Sequence, residues 1–209
     1  FTGLLFGMDT LVAHAYGRRE VQDARRTLVN GIWLALALTP ITVALTLGAI
    51  PLMWAVGENP RVMVLCDPYM RAMAWGLPPL FLFTAFRRYL QALNLVKAAT
   101  FTLVSANLIN FLGNWVLIYG HWGAPAMGLA GSGWSTSIAR FYMALALLGA
   151  ILWEERGSKR RGLVPSFRPD WTRLRELVKL GLPATGQIAF EGALFGVVTV
   201  MASKLDEVS

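Results

Sequence analysis

The chain has 209 residues, of which 56% are hydrophobic and 15% are charged, and its mean hydropathy is +0.52. Because soluble domains carry about 25% charged residues, this composition excludes an ordinary soluble domain and indicates an all-α integral membrane protein. The net charge of +7 is compatible with nucleic-acid binding, but the placement of the basic residues favours a topological role, so we expect no nucleic-acid partner.

Long apolar runs, separated by short charged or Gly/Pro-rich breaks, predict six membrane spans. They cover residues 1–16, 28–56, 62–86, 98–119, 127–153 and 177–203. The first run is too short for a complete span, and it starts at Phe1 without a signal-peptide pattern. We therefore interpret the chain as a fragment of a longer protein.

Lys and Arg residues cluster in alternate breaks between these spans. Four lie in the first break, three in the third and eight in the fifth, which accounts for fifteen of the 19. By the positive-inside rule these breaks are cytoplasmic. The first span then runs from outside to inside and the sixth from inside to outside, in a multi-pass protein of the inner (plasma) membrane.

Polar and proline residues in the first three spans predict local features. Asp9 lies about 12 Å from the cytoplasmic break by helical rise, deep enough to need a partner, and both a structural hydrogen bond and a place in an ion pathway remain open. Asp67 and Arg71 are spaced i, i+4 and predict an ion pair. Pro78 and Pro79 predict a kink in span three.

The fourth and fifth spans carry amides and hydroxyls at similar depth. Three asparagines at i, i+3 and i+7 share one face of span four: Asn107, Asn110 and Asn114. Small residues four apart predict a packing face on span five: Gly128, Ser132 and Thr136. Asn110, Asn114 and Thr136 could form a cation site of neutral oxygens, or they could join the two helices by hydrogen bonds. Both interpretations remain open at this point.

The longest polar stretch, residues 154–176, predicts a cytoplasmic linker between two lobes. Residues 1–153 then form a partial N-terminal lobe of five spans, and residues 177–209 form the first helix of a C-terminal lobe. Asp170 is placed to cap a helix whose apolar stripe includes Trp171 and Leu174, so this helix can lie in the membrane interface. A solvated linker is the alternative for the first half of the stretch.

Span six contains one carboxylate, Glu191, in an otherwise apolar run. Lys179 and Lys204 lie twelve residues before it and thirteen after it, or roughly 18 and 20 Å by helical rise. In a hydrocarbon core about 30 Å thick, Glu191 falls near the midplane, where it must hold a proton or pair with a cation. Gln187, one turn earlier, is placed to hydrogen-bond it.

Enzyme templates do not fit the sequence. It has no GxxxxGK[ST] phosphate loop, no HExxH and no GxSxG motif. Cys66 is the one cysteine, so no disulfide or CxxC metal site can form. No pair of acids on one face of a span offers a site for a metal-bound diphosphate. A transporter is therefore favoured, and a membrane-bound transferase is the less favoured alternative.

Five motifs in this order resemble the multidrug and toxic compound extrusion (MATE) family of cation-coupled efflux transporters. They are "GMDTLVAHAYGRRE", "LPPLFLFTAFRRYLQALN", "NLINFLGNWVLIYG", "GLAGSGWSTSIAR" and "DWTRLRELVKLGLPATGQIAFE". The family fold is a bundle of twelve helices in two six-helix lobes. The resemblance implies that this chain starts inside helix two and ends just beyond helix seven.

The resemblance also implies site residues and a function. Glu191 matches a helix-seven acid used for Na⁺ or H⁺ coupling, and Asn110, Asn114 and Thr136 match the first-lobe cation site. Asn114 stands where many relatives have aspartate. Gln187, Asp9 and Asn107 are expected to support the pathway, without a cofactor or any metal beyond a possible Na⁺.

The expected activity is alternating-access antiport that exports organic cations and amphipathic drugs across the bilayer, by a protein that is monomeric at full length. The alternative is a flippase for lipid-linked oligosaccharides from the same superfamily. Such a flippase would line its cavity with Arg or Lys, whereas Arg140 is the one cation well inside a span.

Overall fold

The computed structural model describes residues 2–18, 20–57, 60–157 and 167–206. This part of the chain forms seven α-helices and two short 3₁₀-helices, at Thr2–Phe6 and His121–Gly123. The α-helices are α1 (Gly7–Gly17), α2 (Val21–Val56), α3 (Pro60–Ala74), α4 (Leu77–Ala92), α5 (Val96–Tyr119), α6 (Leu129–Gly157) and α7 (Trp171–Asp206). The predicted all-α fold is therefore confirmed.

Helices α2, α5 and α6 are, within the described ranges, the three that are long and apolar enough by themselves to cross a membrane. Glycines with positive φ end two of them, Gly57 after α2 and Gly120 after α5. Glycine adopts this left-handed conformation without a steric penalty and so ends a helix sharply. The other three predicted spans correspond to α1 with its preceding turn, to α3 and α4 together, and to α7.

The predicted kink in span three is a complete break between two helices. Helix α3 ends at Ala74, and α4 begins at Leu77 with its prolines in the first turn. Pro78 and Pro79 have no N–H, so they cannot bond to carbonyls four residues earlier. In the first turn of a new helix the missing N–H groups have no cost, which places the break before the prolines.

Helix α6 packs against α3, α4 and α5, whereas α2 packs against α1, α3 and α4. The core between these helices is apolar and includes Met8, Phe81, Phe86 and Leu147, all at most 4% exposed. The first half of helix α7 packs on α1 and on the 3₁₀-helix Thr2–Phe6. The contacts of α6 with α3, α4 and α5 fix the positions of the polar side chains on α5 and α6.

The predicted linker is described in part. Residues 158–166, which carry Lys159, Arg160 and Arg161, lie outside the described residues, as do residues 207–209 at the end of the last predicted domain. Helix α7 runs without a break across the predicted boundary at residue 176, so the interfacial helix and the sixth span are one element. The division into lobes stays a prediction.

Candidate functional site

A polar cluster joins α5 and α6 through four side chains. Asn110 Nδ2 lies 3.4 Å from both Ser135 Oγ and Thr136 Oγ1. Asn114 Nδ2 donates to Asn110 Oδ1 at 3.2 Å, and Ser135 Oγ donates to the backbone carbonyl of Asn110 at 2.8 Å. The structure thus brings Asn110, Asn114 and Thr136 together, and adds Ser135, which the predicted packing face did not include.

Small residues allow α5 and α6 to approach closely enough for these contacts. A Cβ at Gly113 would lie 2.5 Å from Ser135 Oγ, and one at Gly131 would lie 2.5 Å from the carbonyl oxygen of Leu117. The predicted packing face is wrong in its register, because Gly128 precedes α6 and a Cβ added there would meet no atom within 4 Å. The contact stripe on α6 is Gly131 and Ser135, and following that register would have found Ser135.

The cluster is electrically neutral and nearly satisfied by its own hydrogen bonds. The exception is Asn114 Oδ1, which is buried without a hydrogen-bond partner among the described residues. An unpaired buried carbonyl oxygen is costly, and it is suited to accept from a donor or to coordinate a cation. Asn107 is not part of the cluster, since it is exposed and its Nδ2 donates to the Leu103 carbonyl of its own helix at 3.0 Å.

Glu191 lies on the second half of α7, beyond the part that packs on α1. Gln187 Nε2 donates to Glu191 Oε1 at 2.9 Å, so the two side chains occupy one face one turn apart. Both residues are exposed on this chain. The packed part of α7 extends past Pro183 to Thr185, which lies against Gly3, and Glu191 follows it. Glu191 is therefore not part of the α5–α6 cluster, and among the described residues Gln187 is the hydrogen-bond partner of its carboxylate.

Asp9 has the partner that its depth requires. Arg88 Nη1 of α4 lies 2.7 Å from Asp9 Oδ2, and its guanidinium carbon lies 3.6 Å from the ring centroid of Phe6. This ion pair joins two helices whose residues are 79 positions apart. The structure gives Asp9 a structural ion pair, and a role in an ion pathway stays a prediction.

The segment before α7 is attached to α2. Asp170 caps α7 as predicted, accepting from the backbone N–H of Thr172 at 3.0 Å. The Asp170 backbone N–H donates to Asn30 Oδ1 at 2.8 Å, and Asn30 is 2% exposed. Arg173 pairs with Asp23 of α2. The start of α7 is thus attached to α2 by specific polar contacts.

Comparison with known proteins gives matches over nearly all of the chain. The MatE family model matches residues 1–116. A "Probable multidrug resistance protein NorM" of Geobacillus kaustophilus (strain HTA426) is 33% identical over 205 residues, which are 97% of this chain and 45% of the relative. A protein of the same name from Mesorhizobium japonicum (strain LMG 29417 / CECT 9101 / MAFF 303099) is 32% identical over 207 residues, or 98% of this chain and 44% of the relative. The chain therefore spans a little less than half the length of these curated relatives.

Two solved structures share the fold. One, described as "Crystal structure of MATE in complex with MaD5", has a TM-score of 0.76 at 21% identity and covers 93% of this chain and 43% of its own. The other, "Inward-facing conformation of a multidrug resistance MATE family transporter of the MOP superfamily", has a TM-score of 0.73 at 19% identity and covers 88% and 41%. At these identities the likeness establishes the fold.

Proposed function

The chain belongs to the MatE family, and from this premise we propose that the full-length protein is a Na⁺- or H⁺-coupled antiporter. It exports organic cations and amphipathic drugs across the plasma membrane by alternating access, as a monomer. The names of the relatives, multidrug resistance proteins, support this class of activity over an enzyme. The single structural observation that carries the coupling is the Glu191–Gln187 pair on an apolar helix.

Glu191 is suited to bind the coupling ion because its charge can change. An ionised carboxylate near the bilayer centre is costly, so it is neutralised by a proton or by a bound cation. Gln187 holds one carboxylate oxygen at 2.9 Å and leaves the other for the ion. Binding of that ion favours one of two lobe arrangements by its differential affinity for them, which is how a gradient drives export.

The α5–α6 cluster contributes neutral oxygens to the proposal. Amide and hydroxyl groups do not titrate near neutral pH, so Asn110, Asn114 and Thr136 do not exchange a coupling proton themselves. Asn114 Oδ1, which lacks a hydrogen-bond partner among the described residues, is the atom with free capacity for a cation or a donor. We place proton or Na⁺ release at Glu191 and give the cluster a supporting role.

The test is Glu191→Gln in the full-length protein, which keeps the shape of the side chain and removes its charge. We expect normal membrane insertion and loss of gradient-driven export of a fluorescent organic cation from proteoliposomes. Glu176→Gln is the matched control, because Glu176 lies on the same helix and is also exposed. It should export like the wild type.

Wild-type export by Glu191→Gln, at matched protein level and across a range of pH and Na⁺ concentration, would contradict the assignment of coupling to this acid. Failure of the wild-type protein to export any organic cation would contradict the proposed function itself.

A further inference from the structure

Arg140 places a positive charge deep inside α6. It lies eleven residues after Leu129, the first residue of that helix, or about 16 Å by helical rise. In a hydrocarbon core about 30 Å thick this is close to the midplane. A guanidinium does not lose its proton in proteins, so the charge is permanent and must be compensated inside the protein.

The side chain points to the interior of the helix bundle. It lies against Gly76, at the break between α3 and α4, where a Cβ would be 3.0 Å from Arg140 Cδ and 3.1 Å from Nη1. Trp134 and Ile138, which occupy the other side of α6, are exposed. The absence of a side chain at Gly76 therefore provides the room that the guanidinium occupies.

Three other arginines each pair with a carboxylate, whereas no carboxylate pairs with Arg140 among the described residues. Arg71 pairs with Asp67, Arg88 with Asp9, and Arg173 with Asp23. Nη1 of Arg140 is buried without a hydrogen-bond partner among the described residues, as is Nε of Arg87, but Arg87 lies in a predicted cytoplasmic break and Arg140 lies well inside a span. A half-buried guanidinium with an unpaired N–H group has a desolvation cost. An anionic group that accepts from this N–H during part of the transport cycle would offset that cost.

The position of Arg140 relative to the polar cluster indicates what kind of molecule it meets. Thr136, a member of the cluster, lies one helical turn before Arg140 on the same face of α6. A molecule that reaches the cluster is therefore within reach of the guanidinium. The planar guanidinium of an arginine matches the paired oxygens of a carboxylate or of a phosphate, and of these two groups the carboxylate is the one that zwitterionic drugs commonly carry.

We propose that Arg140 is a binding subsite for a carboxylate carried by transported zwitterions. This rests on the proposed export function and extends it, since an organic cation that also bears a carboxylate gains a second point of recognition. Arg140 thus sets specificity between zwitterionic and purely cationic substrates, while coupling stays at Glu191.

Rhodamine B and its ethyl ester test this inference in the full-length protein. The two dyes share the same cationic ring system, and the ester lacks the free carboxylate. In Arg140→Gln we expect export of rhodamine B to fall about tenfold or more, equal to about 1.4 kcal/mol, while export of the ester stays near the wild-type rate. Arg71→Gln, which removes a guanidinium already paired with Asp67, should leave the ratio between the two dyes unchanged.

Arg140→Lys keeps the charge and loses the fork, so it should reduce rhodamine B export by less than Arg140→Gln does. If Arg140→Gln does not fold, the test is the ratio of rhodamine B export to ester export in Arg140→Lys, which should be lower than in the wild type. An equal loss for both dyes in the variants that fold, or wild-type protein that exports the ester and not rhodamine B, would overturn the subsite. Wild-type protein that exports neither dye would overturn the proposed function as well.

Discussion

The contact between α7 and the start of the chain gives a sharp test of the fold. Gly181 of α7 lies directly on the backbone of Leu4, where a Cβ would be 2.6 Å from both the Cα and the carbonyl carbon and would clash with the carbonyl oxygen. Ordinary van der Waals contact begins at 3.4 Å, so the main chains must separate by at least about 0.8 Å to clear the two carbon atoms and by more to clear the carbonyl oxygen. Overpacking of this kind costs about 1–3 kcal/mol.

Gly186 is the matched control, because it lies on the same helix and a Cβ there meets no atom within 4 Å. Both Gly→Ala changes gain up to about 1 kcal/mol of helix propensity, so the difference between the two variants isolates the packing. We expect Gly181→Ala to lower the midpoint of thermal denaturation of the purified full-length protein in detergent, and Gly186→Ala to keep or raise it. Equal midpoints for the two variants would refute the close contact of α7 with Leu4.

Two further predictions concern topology and the polar cluster. Single cysteines should be labelled from the cytoplasm in the 157–169 segment and from outside at His121, because of the excess of basic residues in alternate breaks; labelling of both from one side would refute the six-span arrangement. Asn110→Ala should impair transport by the full-length protein more than Asn107→Ala at equal expression, because Asn110 bonds to α6 and Asn107 bonds to its own helix. Wild-type transport by both variants would favour a packing role for the cluster.

Features encoded within one helical turn were predictable from the sequence. The Asp67–Arg71 ion pair follows from i, i+4 spacing and is present in the structure. The cap at Asp170 follows from a short acceptor side chain before an apolar stripe and is also present. Both depend on local geometry that any helix provides, and so need no knowledge of neighbouring elements.

Features that depend on how helices face each other were not predictable. The partner of Asp9 lies 79 residues away on α4, and that of Asp23 lies 150 residues away on α7. The register predicted for α6 is also wrong, because several small residues of that helix allow more than one stripe at a spacing of four. Which stripe is used depends on the partner surface, and the Gly131 and Ser135 stripe is selected by close backbone approach of α5.

The aspartates of the first three α-helices have structural roles. The aspartates of α1, α2 and α3 each face an arginine, and these pairs join or stabilise helices: Asp9, Asp23 and Asp67. In a bilayer a charge with a fixed structural role has to be neutralised by the fold itself. In the proposed mechanism, Glu191, whose described hydrogen bond comes from a neutral amide, binds the coupling ion, and Arg140, whose Nη1 has no described partner, binds the substrate carboxylate. Because these two residues lie on different helices, the proposed ion coupling and the proposed carboxylate recognition can be tested by separate mutations.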